Sequence, residues 1–284
     1  MKTYNDIYIA TRNALRSQHV EGYNLEARIL VACAAGKSTQ ELLRDVSLYT
    51  TDAVEQTAAD FTRRRLAGEP VAYITGSWEF YGLPITVTPD VLIPRMDTEL
   101  LVDTAKEILT GRKMDARILD LCCGSGCITC AVGHILPATK LVAVDISATA
   151  LAVCRQNIER NRLGSRAVCV QADATSSPPM RIGQFDMIIS NPPYIATSEI
   201  MTLDSSVRDH EPIWALDGGA DGLKFYKSII KYWKSLLPNG GAMLFEVGEG
   251  QAARVQEMLL SGGFRSALTR RDTQGIERVV VGIM

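Results

Sequence analysis

The chain has no basic surplus: 30 lysines and arginines stand against 32 aspartates and glutamates, a net charge of −2 over 284 residues. Proteins that live on duplex nucleic acid draw most of their affinity from phosphate contacts, so this balance gives a nucleic-acid partner no support. No apolar run approaches the roughly 20 residues needed to span a bilayer. Met1 to Asp6 lack the apolar core of a signal peptide and the arginines of a transit peptide. Histidine is scarce, and His19, His134 and His210 are scattered, none beside a candidate nucleophile. The seven cysteines lack the paired C-x-x-C spacing of a structural zinc site. Cys127 and Cys130 fall in a helical stretch, where cysteine is a small apolar filler. The expectation is therefore a cytoplasmic protein with reduced thiols, no metal, no membrane contact and no direct nucleic-acid partner. What is present is ordinary globular composition, 46% hydrophobic and 22% charged. It can bury a sizeable core, in a length that suits one large domain and one small one.

Residues 3 to 67 read as helical, a bundle of four or five helices. Ile7, Ala10 and Leu15, then Leu25, Ile29, Leu30 and Cys33, recur at helical spacing. Ser38 or Thr39 is placed to cap a short helix, and a longer one runs from about Thr51 to Leu66 and stops at Gly68. From 69 to 95 the character changes. Val71, Tyr73, Ile74, Trp78 and Phe80 are β-formers punctuated by glycine and proline, and Leu83–Thr88 alternates, so a β-hairpin linker is expected. Asp97 is expected to cap a helix through about Leu109, with Glu99 in its first turn. The domains thus read as 1–68, a linker at 69–95, and 96–284. In the last, apolar strand runs alternate with helical stretches, which means an α/β domain with a mostly parallel sheet covered on both faces. The two closely spaced strands at the end suggest an antiparallel hairpin at the sheet edge.

Ile118–Leu121 is a strand running into Cys122-Cys123-Gly124-Ser125-Gly126 and then a helix. Gly124 and Gly126 let the backbone approach a ligand closely, and the helix N-terminus offers free N–H groups. About 20 residues further on Asp145 ends the next strand, placed to accept hydrogen bonds from ribose hydroxyls. The missing third glycine of G-x-G-x-x-G and the absence of a second mononucleotide half argue against a nicotinamide dinucleotide.

Phe185–Ser190 is a buried strand followed by Asn191-Pro192-Pro193-Tyr194, which puts that loop beside the same crevice. Two prolines stiffen the backbone and remove two N–H donors. The Asn191 side-chain oxygen and the Pro192 carbonyl can then grip both hydrogens of an –NH2 group. Such a nitrogen is a poor nucleophile, because its lone pair is delocalised. Two acceptors out of its plane favour a pyramidal nitrogen and so stabilise the transition state more than the ground state. Tyr194 can stack on the flat acceptor group. By itself the loop leaves adenine and glutamine both open.

Asp120–Gly126 with Asn191–Tyr194 resemble the class I (Rossmann-like) methyltransferases that modify –NH2 nitrogens. Gly68–Gly76, Phe80–Gly82, Ile93–Glu99, Glu211-Pro212 and Gly218–Leu223 narrow this: over most of residues 20–284 the chain resembles the release factor glutamine methyltransferase (PrmC/HemK) family. The resemblance implies a mostly parallel seven-stranded sheet with an antiparallel C-terminal hairpin, and a small N-terminal helical domain that recognises the release factor. It implies methyl transfer from S-adenosyl-L-methionine to the glutamine amide nitrogen (N5) in the Gly-Gly-Gln motif of bacterial release factors. Asn191, Pro192 and Tyr194 are then the catalytic residues, and Asn191 to Tyr194 hold the glutamine. Cys122, Cys123, Gly124, Ser125 and Gly126 lie along the methionine part of the cofactor, Asp145 at the ribose, Asp173 and Ala174 at the adenine, with Asn191 also contributing. Arg95 and Glu99 read as structural. Two positions depart from the family's pattern. Cys122 stands where its Asp-Leu-Gly-x-Gly-x-Gly run has the first glycine, and Ala174 where a larger, often aromatic, residue is usual. The remaining alternatives are a ribosomal-protein glutamine methyltransferase, a DNA adenine-N6 methyltransferase, and a catalytically silent cofactor-binding interaction protein.

Overall fold

Three hydroxyl caps set out the N-terminal helices of the computed structural model, which describes residues 1–110 and 115–284. Thr3 and Asp6 form a capping box at the start of α1 (Tyr4–Ser17), α2 spans Tyr23–Ala34, Ser38 and Glu41 form a second box at α3 (Thr39–Arg44), and Thr51 caps α4 (Asp52–Leu66). The expected strand-like stretch after Gly68 is instead one helical turn, α5 (Val71–Thr75). Pro70 at its N-cap and left-handed Gly76 at its C-cap bracket it, and burying Val71 and Ile74 against Leu15, Ala27 and Leu30 overrides their β preference. These elements belong to one compact unit, Met1–Ser77 together with Asp204–His210.

The second unit comprises Trp78–Leu203 and Glu211–Met284. The hairpin is present as β1 (Ser77–Phe80) and β2 (Leu83–Thr86). α6 runs from Glu99 to Leu109, but Asp97 does not cap it. A 3-10 turn at Met96–Thr98 leads in, Thr98 holds the cap position, and the Asp97 carboxylate lies 3.3 Å from Arg278. Then follow β3 (Arg117–Leu121), α7 (Cys127–Ile135), β4 (Lys140–Asp145), α8 (Ala148–Arg160), β5 (Ala167–Gln171) and β6 (Met187–Ser190). The turn α9 (Ser205–Arg208) lies in the segment that belongs to the first unit. The chain finishes with α10 (Lys224–Trp233), β7 (Ala242–Glu246), α11 (Ala252–Ser261), β8 (Ser266–Arg271) and β9 (Glu277–Ile283).

The seven strands are ordered β5-β4-β3-β6-β7-β9-β8; the first five are parallel, and the final hairpin is antiparallel with β9 against β7. This is a doubly wound α/β sheet with an antiparallel edge. β6 and β7 are buried along their whole length, as sheet strands covered on both faces must be. Beneath them Trp233, Tyr226 and Phe245 fill the core, with the last two rings edge to face at 5.3 Å. From β3 the chain steps outward to β4 and β5, then returns to place β6 on the other side of β3. A crevice opens above the carboxyl ends of the strands at such a reversal. Among the described residues, no helix is long and apolar enough to cross a membrane.

Candidate active site

Every strand flanking that reversal delivers a polar turn to it. After β3, Cys122, Gly124 and Gly126 all take left-handed backbone, with φ of 61°, 50° and 75°. Cys122 therefore adopts the conformation a glycine would supply at the departing position, and the turn keeps its course at a steric cost of about 1–2 kcal/mol. Its thiol is held above the ordinary range, chiefly by burial and then by the Asp145 charge, so it stays protonated and is no nucleophile. At Gly126 a side chain is excluded: a Cβ would lie 2.5 Å from Cys154 Sγ. Gly124 faces open space.

Asp145, at the end of β4, organises the turn. One carboxylate oxygen accepts from the Gly124 N–H and the other from the Ser147 N–H, both at 2.9 Å. Asp120 sits below, fully buried, with one oxygen accepting from the Thr129 N–H and hydroxyl; the other has no hydrogen-bond partner among the described residues. Burial, opposed by those two bonds, pushes Asp120 up to about 7. The hairpin is tied in by buried Asn157 of α8. Its amide exchanges two hydrogen bonds with the Thr86 backbone and donates to the Ser125 carbonyl.

After β6, the Ser190 hydroxyl donates to the Leu121 carbonyl at 2.7 Å, locking the start of the Asn191–Tyr194 loop, the expected acceptor loop, to the start of the glycine turn. Asn191 Nδ2 donates to Thr98 Oγ1 at 3.2 Å, which leaves Oδ1 as the outward acceptor. Tyr194 turns inward: its hydroxyl donates to Glu246 Oε1 at 3.4 Å and its carbonyl accepts from Gln251 Nε2 at 2.8 Å. Three glycines make room for it. A Cβ at Gly218, Gly222 or Gly248 would lie 2.8, 2.3 or 3.1 Å from a Tyr194 atom. The segment 211–223 thus packs against the acceptor loop, with further bonds from the Gly218 N–H to Ile195 and from the Ile195 N–H to Leu216. At its start Glu211 pairs with Arg95 and accepts from the Ile93 N–H. Glu99 accepts from the Tyr81 N–H at 2.7 Å.

One cavity of about 250 Å³ collects these parts. Cys122, Cys123, Gly124, Ser125 and Asp145 line one side, Asp173 and Ala174 the next, Asn191 and Pro193 the end. Gly126, Pro192 and Tyr194 lie outside its lining. Asp173 is held by Thr175 and Ser176, and the Ala174 carbonyl accepts from Trp233 Nε1. The aromatic wall absent at Ala174 comes from Phe225, at the start of α10, and exposed Trp214 stands at the rim. Neither was singled out from the sequence. Thr98, Asn157 and Glu246 were likewise missed, although an acid ending an apolar strand, as Glu246 does, is the same signal that marked Asp145. The carboxylate acceptors Asp90, Asp145 and Asp173 suit a ligand with hydroxyls and positive charge, and Arg95 and Lys224 also line the cavity.

Fold and cavity together define a Rossmann-like methyltransferase. Residues 96–206 match the Methyltransferase small domain and residues 6–76 the PrmC N-terminal domain. The human Mettl16 catalytic domain, solved with an RNA hairpin, superposes with a TM-score of 0.59 over 84% of each chain at 18% identity, a likeness of fold alone. The release factor glutamine methyltransferase of Geobacter sulfurreducens is 38% identical over 96% of this chain and 93% of its own length. That of Bordetella pertussis is 41% identical over 92% and 94%. The chain belongs to the release factor glutamine methyltransferase family.

Proposed function

We propose that this protein transfers a methyl group from S-adenosyl-L-methionine to the side-chain amide nitrogen (N5) of the glutamine in the Gly-Gly-Gln motif of peptide chain release factors, in the cytoplasm. The observation that carries the reading is the orientation of Asn191, whose amide nitrogen is engaged by Thr98 so that its oxygen is the acceptor at the cavity. Bound in the cavity, the cofactor supplies an electrophilic sulfonium methyl group. Asp145 would hold its ribose, Asp173 and the Phe225 face its adenine, and Cys122 to Gly126 its methionine end. Asn191 Oδ1 and the Pro192 carbonyl draw the two amide hydrogens out of plane, freeing lone-pair density on nitrogen in the transition state. Their rigidity matters as much as their chemistry, because a preset geometry removes orientational entropy from the barrier. The reaction needs no strong base, since the nitrogen is acidic once methylated.

Labelled cofactor incubated with purified release factor tests this. Label on the wild-type factor that disappears when the motif glutamine is replaced is expected. Label only on a ribosomal protein or on DNA, or on nothing, contradicts it.

The helical part, residues 1–68, is the proposed docking element for the release factor. A two-glycine loop offers far less surface than a specific interface buries. Leu43, Leu48 and Tyr49 are among its exposed apolar groups. Converting all three to serine is expected to raise KM for intact release factor about tenfold, the size of one or two lost apolar contacts. Modification of a short Gly-Gly-Gln peptide should not change. Equal effects on both substrates would argue against docking.

A further inference from the structure

The mouth of the cavity carries a large aromatic side chain with no part in the methyl transfer itself. Trp214 lines the cavity, is 53% exposed, and belongs to a 3-10 turn, Ile213–Ala215, in which no residue is buried. Among the described residues its indole pairs with no other ring, cation or hydrogen-bonding group. Isolated apolar side chains are common on protein surfaces, but this one is fixed where a substrate must pass.

Its mounting is firm. The Ala215 and Leu216 N–H groups donate back to the Pro212 and Ile213 carbonyls and close the turn. Three residues before the indole, buried Glu211 pairs with Arg95 and accepts from the Ile93 N–H. Two residues after it, the Leu216 carbonyl accepts from the Ile195 N–H, one residue beyond Tyr194. Both anchors tie the indole to the acceptor loop and its support, because Arg95 leads into the Met96–Thr98 turn and Thr98 accepts from Asn191. Arg95, Thr98, Asn191 and Pro193 line the same cavity as Trp214.

We propose that Trp214 is a substrate-specificity residue whose indole face receives the two glycines preceding the reacting glutamine. This rests on the reading of the cavity as the glutamine site. With the glutamine amide at Asn191, the glutamine backbone stands at the mouth, and the two preceding residues extend at most about 7 Å from it. Glycine has no Cβ, so those peptide planes can lie flat on an aromatic face. The indole offers a large area and N–H···π contacts, with only two side-chain torsions to immobilise. A methyl group placed between backbone and ring holds them apart. Trp214 thus reads the motif by what its first two residues lack. The selection falls on binding, since the indole touches no reacting atom.

The test measures methyl transfer by full-length wild type, Trp214→Ala and Trp214→Phe. The substrates are intact release factor, a short Gly-Gly-Gln peptide, and peptides with alanine at either glycine. Trp214→Ala is expected to raise KM about tenfold, the size of an aromatic interface anchor. The rise should be the same for peptide and intact factor, unlike the effect of the helical docking element. kcat and cofactor Kd should stay within about threefold, and Trp214→Phe should recover most of the loss. Alanine at one or both motif glycines should raise KM about tenfold in wild type but no more than about threefold in Trp214→Ala, the non-additivity of groups in contact. Trp214→Leu, apolar but without a flat face, gives the same readouts if Trp214→Ala does not fold. An unchanged KM for the peptide, an undiminished preference for glycine, or a cofactor Kd raised more than tenfold in a folded variant overturns the proposal and leaves the proposed function standing. A wild-type protein that methylates no release factor sinks both.

Discussion

Asn191 can serve a substrate amide in only one of its two flips, the one in which Nδ2 donates to the Thr98 hydroxyl. Asn191→Ala removes the acceptor and should lower kcat by about 100-fold or more, the usual loss when one preorganised polar group leaves a transition state. A kcat within threefold of wild type would remove Asn191 from the chemistry. At Cys122 the expectation is the reverse. Cys122→Gly relieves about 1–2 kcal/mol of left-handed strain, which the lost thiol burial and the freer unfolded chain roughly offset. Stability should therefore stay within about 1 kcal/mol and cofactor Kd within about threefold. A loss of cofactor affinity beyond tenfold would mean that the thiol itself binds.

The glycine-rich segment 218–222 serves the acceptor loop from the outside, by leaving space for Tyr194. Gly222→Ala would put a methyl 2.3 Å from the Tyr194 carbonyl oxygen at a residue with φ +70°. A loss of about 2–4 kcal/mol in denaturant unfolding, with a fall in kcat, is the expected outcome; unchanged stability and turnover would show that the contact is slack. The alternation of strands and helices was legible because it depends on local apolar periodicity. So were the glycine turn, Asp145 and Asn191–Tyr194, each of which ends or follows a strand. The turn at Val71–Thr75 and the cap at Thr98 were not, because tertiary burial decided the first and a 3-10 turn displaced the second. Phe225 and Asn157 reach the site from α10 and α8, and local sequence pattern carries no trace of those convergences.

Across the whole fold, two buried acids make stability fall as pH rises. Asp120 and Glu246 have folded pKa values of about 7, above the unfolded ones, so between roughly pH 4 and 7 the folded state binds the extra protons. Raising pH through that window releases them and costs stability. Asp120→Asn removes one of the two contributions, so its melting temperature relative to wild type should climb between pH 5 and pH 8. A difference independent of pH would mean that Asp120 titrates normally. The fold tolerates this penalty where the glycine turn and the acceptor loop meet, as expected of a site organised for chemistry rather than for stability. Whether the paired loops act on one glutamine is read by mass spectrometry of release factor after incubation with enzyme and S-adenosyl-L-methionine. A single added methyl is expected on the fragment bearing Gly-Gly-Gln, absent with Asn191→Ala. An unmodified fragment, or a methyl on any other residue, would contradict it.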